Sequence, residues 1–124
     1  MQKMKLSGNV KFFLELQSQL RILHWQTKSH AKHIALGDTY AALDVLIDSY
    51  VETCMGLHGR FILEDDDKTL TINNLTDVDL VGMIDTVRNT LKGLEIDETD
   101  SDLLNIRDEM LASINKLSYL LTLR

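Results

Sequence analysis

Apolar residues return every three or four positions through most of the chain, the spacing of one buried face of an α-helix. Val10, Phe13, Leu16, Leu20, Leu23, Thr27 and Ala31 mark a first helix from about Gly8 to Thr27 or beyond. His24 falls one turn after Leu20, so a helix here turns its imidazole toward the core. A second helix runs to about Met55. It carries Leu43, Leu46, Ile47, Tyr50 and Cys54 on one stripe, with Asp44, Asp48 and Glu52 on an adjoining line. Two starts are open to it: Ser29 caps a helix beginning near His30 with Gly37 inside it, or Asp38 caps one that follows a turn at Leu36-Gly37. The earlier start is favoured.

Gly56 and Gly59 lead into the acidic run Glu64 to Asp67 and the polar stretch from Lys68 to Asn74, which read as one long connection. Thr76 or Asp77 is expected to cap a third helix that turns Leu80, Ile84, Val87 and Leu91 inward and ends near Gly93. After a turn at residues 95–100, a last helix from about Ser101 to Leu123 shows Leu104, Leu111, Ile114, Leu117, Ser118 and Leu121 as its apolar stripe. Four amphipathic helices joined by two short turns and one long middle connection predict an all-α four-helix bundle, with residues 1–124 forming a single domain. In such bundles ligand side chains project from facing helices. The acidic run lacks the spacing of an EF-hand and reads as a solvated loop.

Composition agrees with helix: proline is absent and there are 6 glycines. Charge adds a further restriction. Residues 1–63 hold 7 Lys and Arg against 5 Asp and Glu, whereas residues 64–124 hold 6 against 14. That acidic second half argues against a broad duplex-DNA footprint, and Lys3, Lys5 and Lys11 supply only a thin basic arm. No apolar run approaches the ~18 residues of a spanning helix, so no membrane partner is expected. The first residues lack the apolar core of a signal peptide, and Cys54, the single cysteine, cannot form an internal disulfide. A cytoplasmic location is the expectation.

The candidate chemistry lies in three histidines, His24, His30 and His33, just ahead of Asp44, Asp48 and Glu52. Imidazole with carboxylate suits iron, manganese or zinc, and a single thiol excludes a thiolate cluster. Asp48 and Glu52 stand one helical turn apart beside an apolar stripe, where an unpaired charge is costly and a bound cation removes the cost. Plainer accounts compete. His24 can be a core histidine with a satisfied hydrogen bond, and the two carboxylates can be solvated or paired with Arg21 or Lys28. His30 reads as a polar residue at a helix start, His58 beside its glycines as exposed, and Trp25 as a packing residue.

Residues from about 10 to 56 resemble the Dps mini-ferritins of the ferritin-like superfamily. The likeness rests on His24-Trp25 near the end of a first helix, a second histidine, and Asp48-x-x-x-Glu52 on the second helix. Anchoring on Asp48 brings His33 to the family's second-histidine position and Tyr40 to an aromatic one. The resemblance implies an iron site across an isologous two-fold interface, with His24 and His33 from one subunit, Asp48 and Glu52 from its mate, and Trp25 as the neighbouring aromatic. It implies ferroxidase chemistry, iron storage under oxidative stress, a hollow homo-oligomeric shell and DNA as a partner.

This chain departs from the pattern in several places. The stretch from His24 to His33 is three residues shorter and lacks the family's Gly-Pro turn, and there is no long Lys-rich tail. Gly37 stands where the family has a further aspartate. Asp38 beside it is turned by ~100° on a helix, and Asp44 is the other substitute. Asp38, Asp44 and His30 are therefore secondary candidates. Larger ferritins use Glu-x-x-His pairs inside one bundle, and this sequence has none. A rival from another class is a non-catalytic bundle of the same fold that serves as a structural or partner-binding subunit, for example in a virus particle. A third is a helical module with a histidine-dependent pH response.

Overall fold

The computed structural model describes residues 5–123; Lys3 of the basic arm lies outside them. Four α-helices occur among these residues: α1 (Lys5–Gln26), α2 (His30–His58), α3 (Leu80–Lys92) and α4 (Ser101–Leu120). Between α1 and α2 the chain needs only three residues, because Ser29 is extended and its hydroxyl accepts the Lys32 N–H at 3.3 Å. Helix α2 thus starts at His30 and carries Gly37 inside it, the earlier of the two expected starts. It runs three residues past Met55 and stops at Gly59, whose φ of 93° places it in the left-handed region where glycine carries no Cβ penalty.

Helix α1 begins three residues before the expected Gly8 and α4 ends three before the expected Leu123, and two further expectations differ. Thr76 and Asp77 do not cap α3; they sit in a single 3-10 turn, Leu75–Asp77, and the chain is extended at Val78 before Asp79 takes the cap position. The Gln26 side-chain oxygen accepts the Leu75 N–H at 2.7 Å, fixing that turn to α1 ahead of the helix. In α4 the buried residues are Leu103, Met110, Ile114 and Leu117, while Leu104 and Leu111 are only half-buried. Apolar pairs at 103/104 and 110/111 leave the stripe ambiguous by one position. Because α4 faces both α2 and α3, its stripe is wide, and Leu104 and Leu111 fall off its centre.

Helix α1 packs along α2, α2 along α4 and α3 along α4. Phe13, Leu20, Leu23, Leu43, Tyr50, Leu91, Met110 and Ile114 are almost fully buried in one shared core. At ~25 cal/mol per Å² of apolar surface, burial of such side chains is worth roughly 1.5–3 kcal/mol each before conformational entropy is subtracted.

Residues 59–79 run back along α1, attached by a line of its polar side chains. Ser7 accepts the Glu64 N–H at 2.9 Å and donates to Asp67 at 2.7 Å, and the Lys11 ammonium donates to the Asp66 carbonyl at 3.3 Å. Glu15 accepts the Thr71 N–H at 2.8 Å. Gln19 then both accepts the Asn73 N–H, at 2.8 Å, and donates to the Asn73 carbonyl, at 2.9 Å. Ser7, Lys11, Glu15 and Gln19 are four residues apart, close to one helical turn, so they form one ridge that serves the backbone of a segment with few partners of its own.

The order of these contacts fixes direction. The connection runs parallel to α1, returning the chain to the α1–α2 turn. Leu80 of α3 and Leu121 just past α4 line a cleft there with Lys32 of α2. Helices α2 and α3 therefore point the same way, with α1 and α4 opposed to both.

Candidate functional site

The α1–α2 turn brings His24 and His33 together. Their rings stack with centroids 3.9 Å apart and planes 14° from parallel. Each ring also bonds to the other residue's backbone: His24 Nδ1 lies 2.6 Å from the His33 carbonyl oxygen and His33 Nδ1 lies 2.8 Å from that of His24. A carbonyl only accepts, so both Nδ1 atoms carry the proton and donate it. In the neutral imidazole this leaves each Nε2 with its lone pair, the atom a metal ion takes. The His33 ring thereby satisfies the His24 carbonyl in the last turn of α1, where carbonyls lack helical partners, while the His24 ring adds a second bond to a carbonyl in the first turn of α2.

Gly37 is what admits the His24 ring. A Cβ at residue 37 would stand 2.7 Å from His24 Cε1 and 2.9 Å from Nδ1, closer than real contacts allow. Thus the glycine found at the resemblance's aspartate position has a steric role in this chain. An open groove of about 300 Å³ exposes His24 alongside Arg21, Tyr40 and Asp44. The Arg21 guanidinium lies 4.0 Å from the Tyr40 ring centroid and 5.6 Å from that of Trp25, in cation–π range, and does not pair with Asp48 or Glu52. Trp25 is 64% exposed and is not a core residue.

Asp48 and Glu52 sit on the outer surface of α2, and neither has a hydrogen bond or ion pair among the described residues. They continue an exposed stripe through Ile34, Ala41 and Val45, at steps of three, four and seven residues. From His33 to Asp48 is fifteen residues, about 22 Å along a helix rising 1.5 Å per residue. The histidines and these carboxylates of one chain therefore cannot share an ion. Among the described residues no three His, Cys, Asp or Glu side chains of one chain converge as metal ligands. Of the secondary candidates, Asp44 accepts a bond from Gln17 at 2.9 Å, Asp38 is exposed, and the exposed His30 has its ring 6.4 Å from that of His33.

At the opposite end lies a constellation that periodicity alone did not reveal. His58 is half-buried, with Nε2 3.2 Å from an Asp100 carboxylate oxygen, which corrects its expected exposure. The pair lines a cavity of about 360 Å³ with Tyr50 and Cys54. Burial pushes the Cys54 thiol up, and Asp100 and Asp102 add to the shift, so it remains a thiol near neutrality. Burial likewise pushes the Tyr50 phenol up, aided by Cys54 and opposed by Arg107. At the rim, the Thr99 backbone N–H and hydroxyl both bond Asp97 Oδ1, at 2.9 and 2.7 Å, and hold that carboxyl below its ordinary range. The spacing Tyr50-x-x-x-Cys54-x-x-x-His58 was the available signal, since it lays the three side chains along one helix face.

Fold and contacts define an all-α four-helix bundle with a stacked histidine pair at one end and a lined cavity at the other. Among the described residues, no helix is long and apolar enough to cross a membrane. The chain belongs to a family of unknown function, DUF5856, which matches residues 24–121, from His24 to just beyond α4. Comparison with curated proteins and with solved structures gives no match.

Proposed function

We propose that the protein is a ferritin-like, Dps-like iron-binding protein whose site forms between two copies of the chain. The observation that carries this reading is the His24–His33 pair. Both Nδ1 protons are committed to carbonyls, both Nε2 atoms keep their lone pairs, and His24 opens onto a groove. The second half of the site is Asp48 and Glu52 of a second copy. Their lack of partners, and the exposed Ile34 and Val45 on the same stripe, support covering by an isologous contact. The parallel course of α2 and α3 across one long connection supports the ferritin-like topology, which has one such crossover.

Fe(II) is the substrate. Two Fe(II) each lose one electron to a peroxide; its O–O bond breaks and two protons complete two water molecules. Asp48 and Glu52 offset the charge gained on the iron, and the imidazoles bind as neutral donors. Iron is the metal argued for, with zinc or manganese admitted by the same donors. DNA binding has no support beyond the resemblance.

A second reading rests on the near-parallel rings. Imidazole lone pairs lie in the ring plane, so two stacked rings aim along separate planes rather than at one point. In this arrangement the pair makes a complete structural clamp without metal, which favours a non-catalytic bundle acting as a structural or partner-binding subunit. Anaerobic Fe(II) titration with native mass determination separates the two. The iron reading expects a dimer or larger assembly that binds Fe(II), oxidises it on peroxide addition, and loses both properties in His24→Ala and Asp48→Ala but not in His30→Ala. A monomer that binds no iron leaves the clamp.

A further inference from the structure

The cavity at the end away from the histidines combines an apolar lining with charged groups. Leu6, Phe61, Ile62, Ile96 and Leu103 form apolar wall. Tyr50 lines the cavity yet is only 1% exposed, and its hydroxyl has no hydrogen-bond partner among the described residues. Its ring is held edge-on to Phe13, with centroids 5.5 Å apart, so the hydroxyl is positioned by packing rather than by a polar partner. A buried hydroxyl left unbonded is costly, and buried polar groups are almost always satisfied by protein, water or ligand. The volume of about 360 Å³ falls within the range of small-molecule sites.

The charge of the lining selects the ligand. Glu64, Asp97 and Asp100 line it with Arg60 and His58, so carboxylates outnumber the one permanent cation among them. Asp97 stands exposed at the rim, and Asp100 lies deeper against His58. A metal ion is disfavoured, since no three ligating side chains among the described residues converge. An organic cation uses the same charge and fills the apolar wall as well.

We propose that this cavity binds a small organic amine, its ammonium held by Asp97 and Asp100 and an oxygen at its far end hydrogen-bonded to the Tyr50 hydroxyl. The site is separate from His24 and His33, so it stands or falls independently of iron binding.

Three probes test it on the full chain by NMR titration: tyramine, phenethylamine without the phenolic oxygen, and 4-hydroxyphenylacetate without the ammonium. Tyramine is expected to saturate, and phenethylamine to bind about three- to tenfold more weakly for want of one hydrogen bond. The carboxylate should not saturate. Tyr50→Phe should bring tyramine down to the phenethylamine level and leave phenethylamine unchanged. The variant Asp97→Asn/Asp100→Asn should weaken both amines at least tenfold, with its fold checked by thermal melting. His24→Ala should bind tyramine as the parent does. Failure of both amines to saturate at millimolar concentration overturns the proposal, as does tyramine binding that Tyr50→Phe leaves unaltered.

Discussion

The two ends of the bundle treat buried polar groups in opposite ways. At the α1–α2 turn, His24 and His33 donate to each other's carbonyls and stack, so their polar hydrogens are committed within the protein. At the far end, Tyr50 is more deeply buried than either histidine and has no hydrogen-bond partner among the described residues. A closed polar pair stabilises its junction, whereas an open buried hydroxyl marks a place where stability has been left incomplete. Function is expected differently at each end: through the spare Nε2 atoms at the first, through the missing partner at the second.

Substitutions at the two ends should respond accordingly, the largest effect coming from the hydrocarbon that supports them. Phe13→Ala removes a fully buried ring against Tyr50 and should cost about 3–5 kcal/mol, read from urea unfolding at neutral pH. Gln19→Ala, which detaches the connection at Asn73, should cost about 1–2 kcal/mol because water regains the exposed Asn73 groups. His24→Ala and His33→Ala should each cost about 1–2 kcal/mol; each leaves the other ring its bond to a backbone carbonyl and removes the shared stacking contact, so the double variant should fall short of the sum by about 0.5–1 kcal/mol. Additive losses would show that the rings act separately and break the comparison at that end.

Smaller effects sharpen it. Tyr50→Phe should change stability by less than about 0.5 kcal/mol or raise it, because no hydrogen bond is lost. A loss above about 1 kcal/mol would mean that the hydroxyl is satisfied in solution. Asp97→Asn should change how stability depends on pH. A carboxyl held below its ordinary value contributes stability that is present above the unfolded-state value and lost as pH falls through the lowered one. The variant should therefore lose this contribution near neutrality, match the parent at the acid end, and so flatten the acid limb of the stability profile.

Helices were the most legible part of the sequence. Burial leaves a 3.6-residue signature, and Ser29 with the residues after it marked the start of α2. The stripe of α4 was legible only to within one position, because Leu103/Leu104 and Met110/Leu111 fit the same period. Long-range polar contacts leave no period at all. Gln19 with Asn73 and His58 with Asp100 join residues more than forty positions apart, so nothing local announced them. Gly37 was visible as a departure from the resembled pattern, but its cause, the His24 ring lying against α2, needed the fold.

The central claim, a site made from two chains, is tested most directly by complementation. One protein carries His24→Ala with His33→Ala, the other Asp48→Ala with Glu52→Ala, and each alone should bind no Fe(II). Unfolded together and refolded at equal concentration, they should form mixed pairs with one intact site each, restoring about a quarter of the parent's anaerobic Fe(II) binding for random pairing across a two-fold interface. Binding that stays at zero in the refolded mixture, while the parent binds iron, would contradict a site shared between chains.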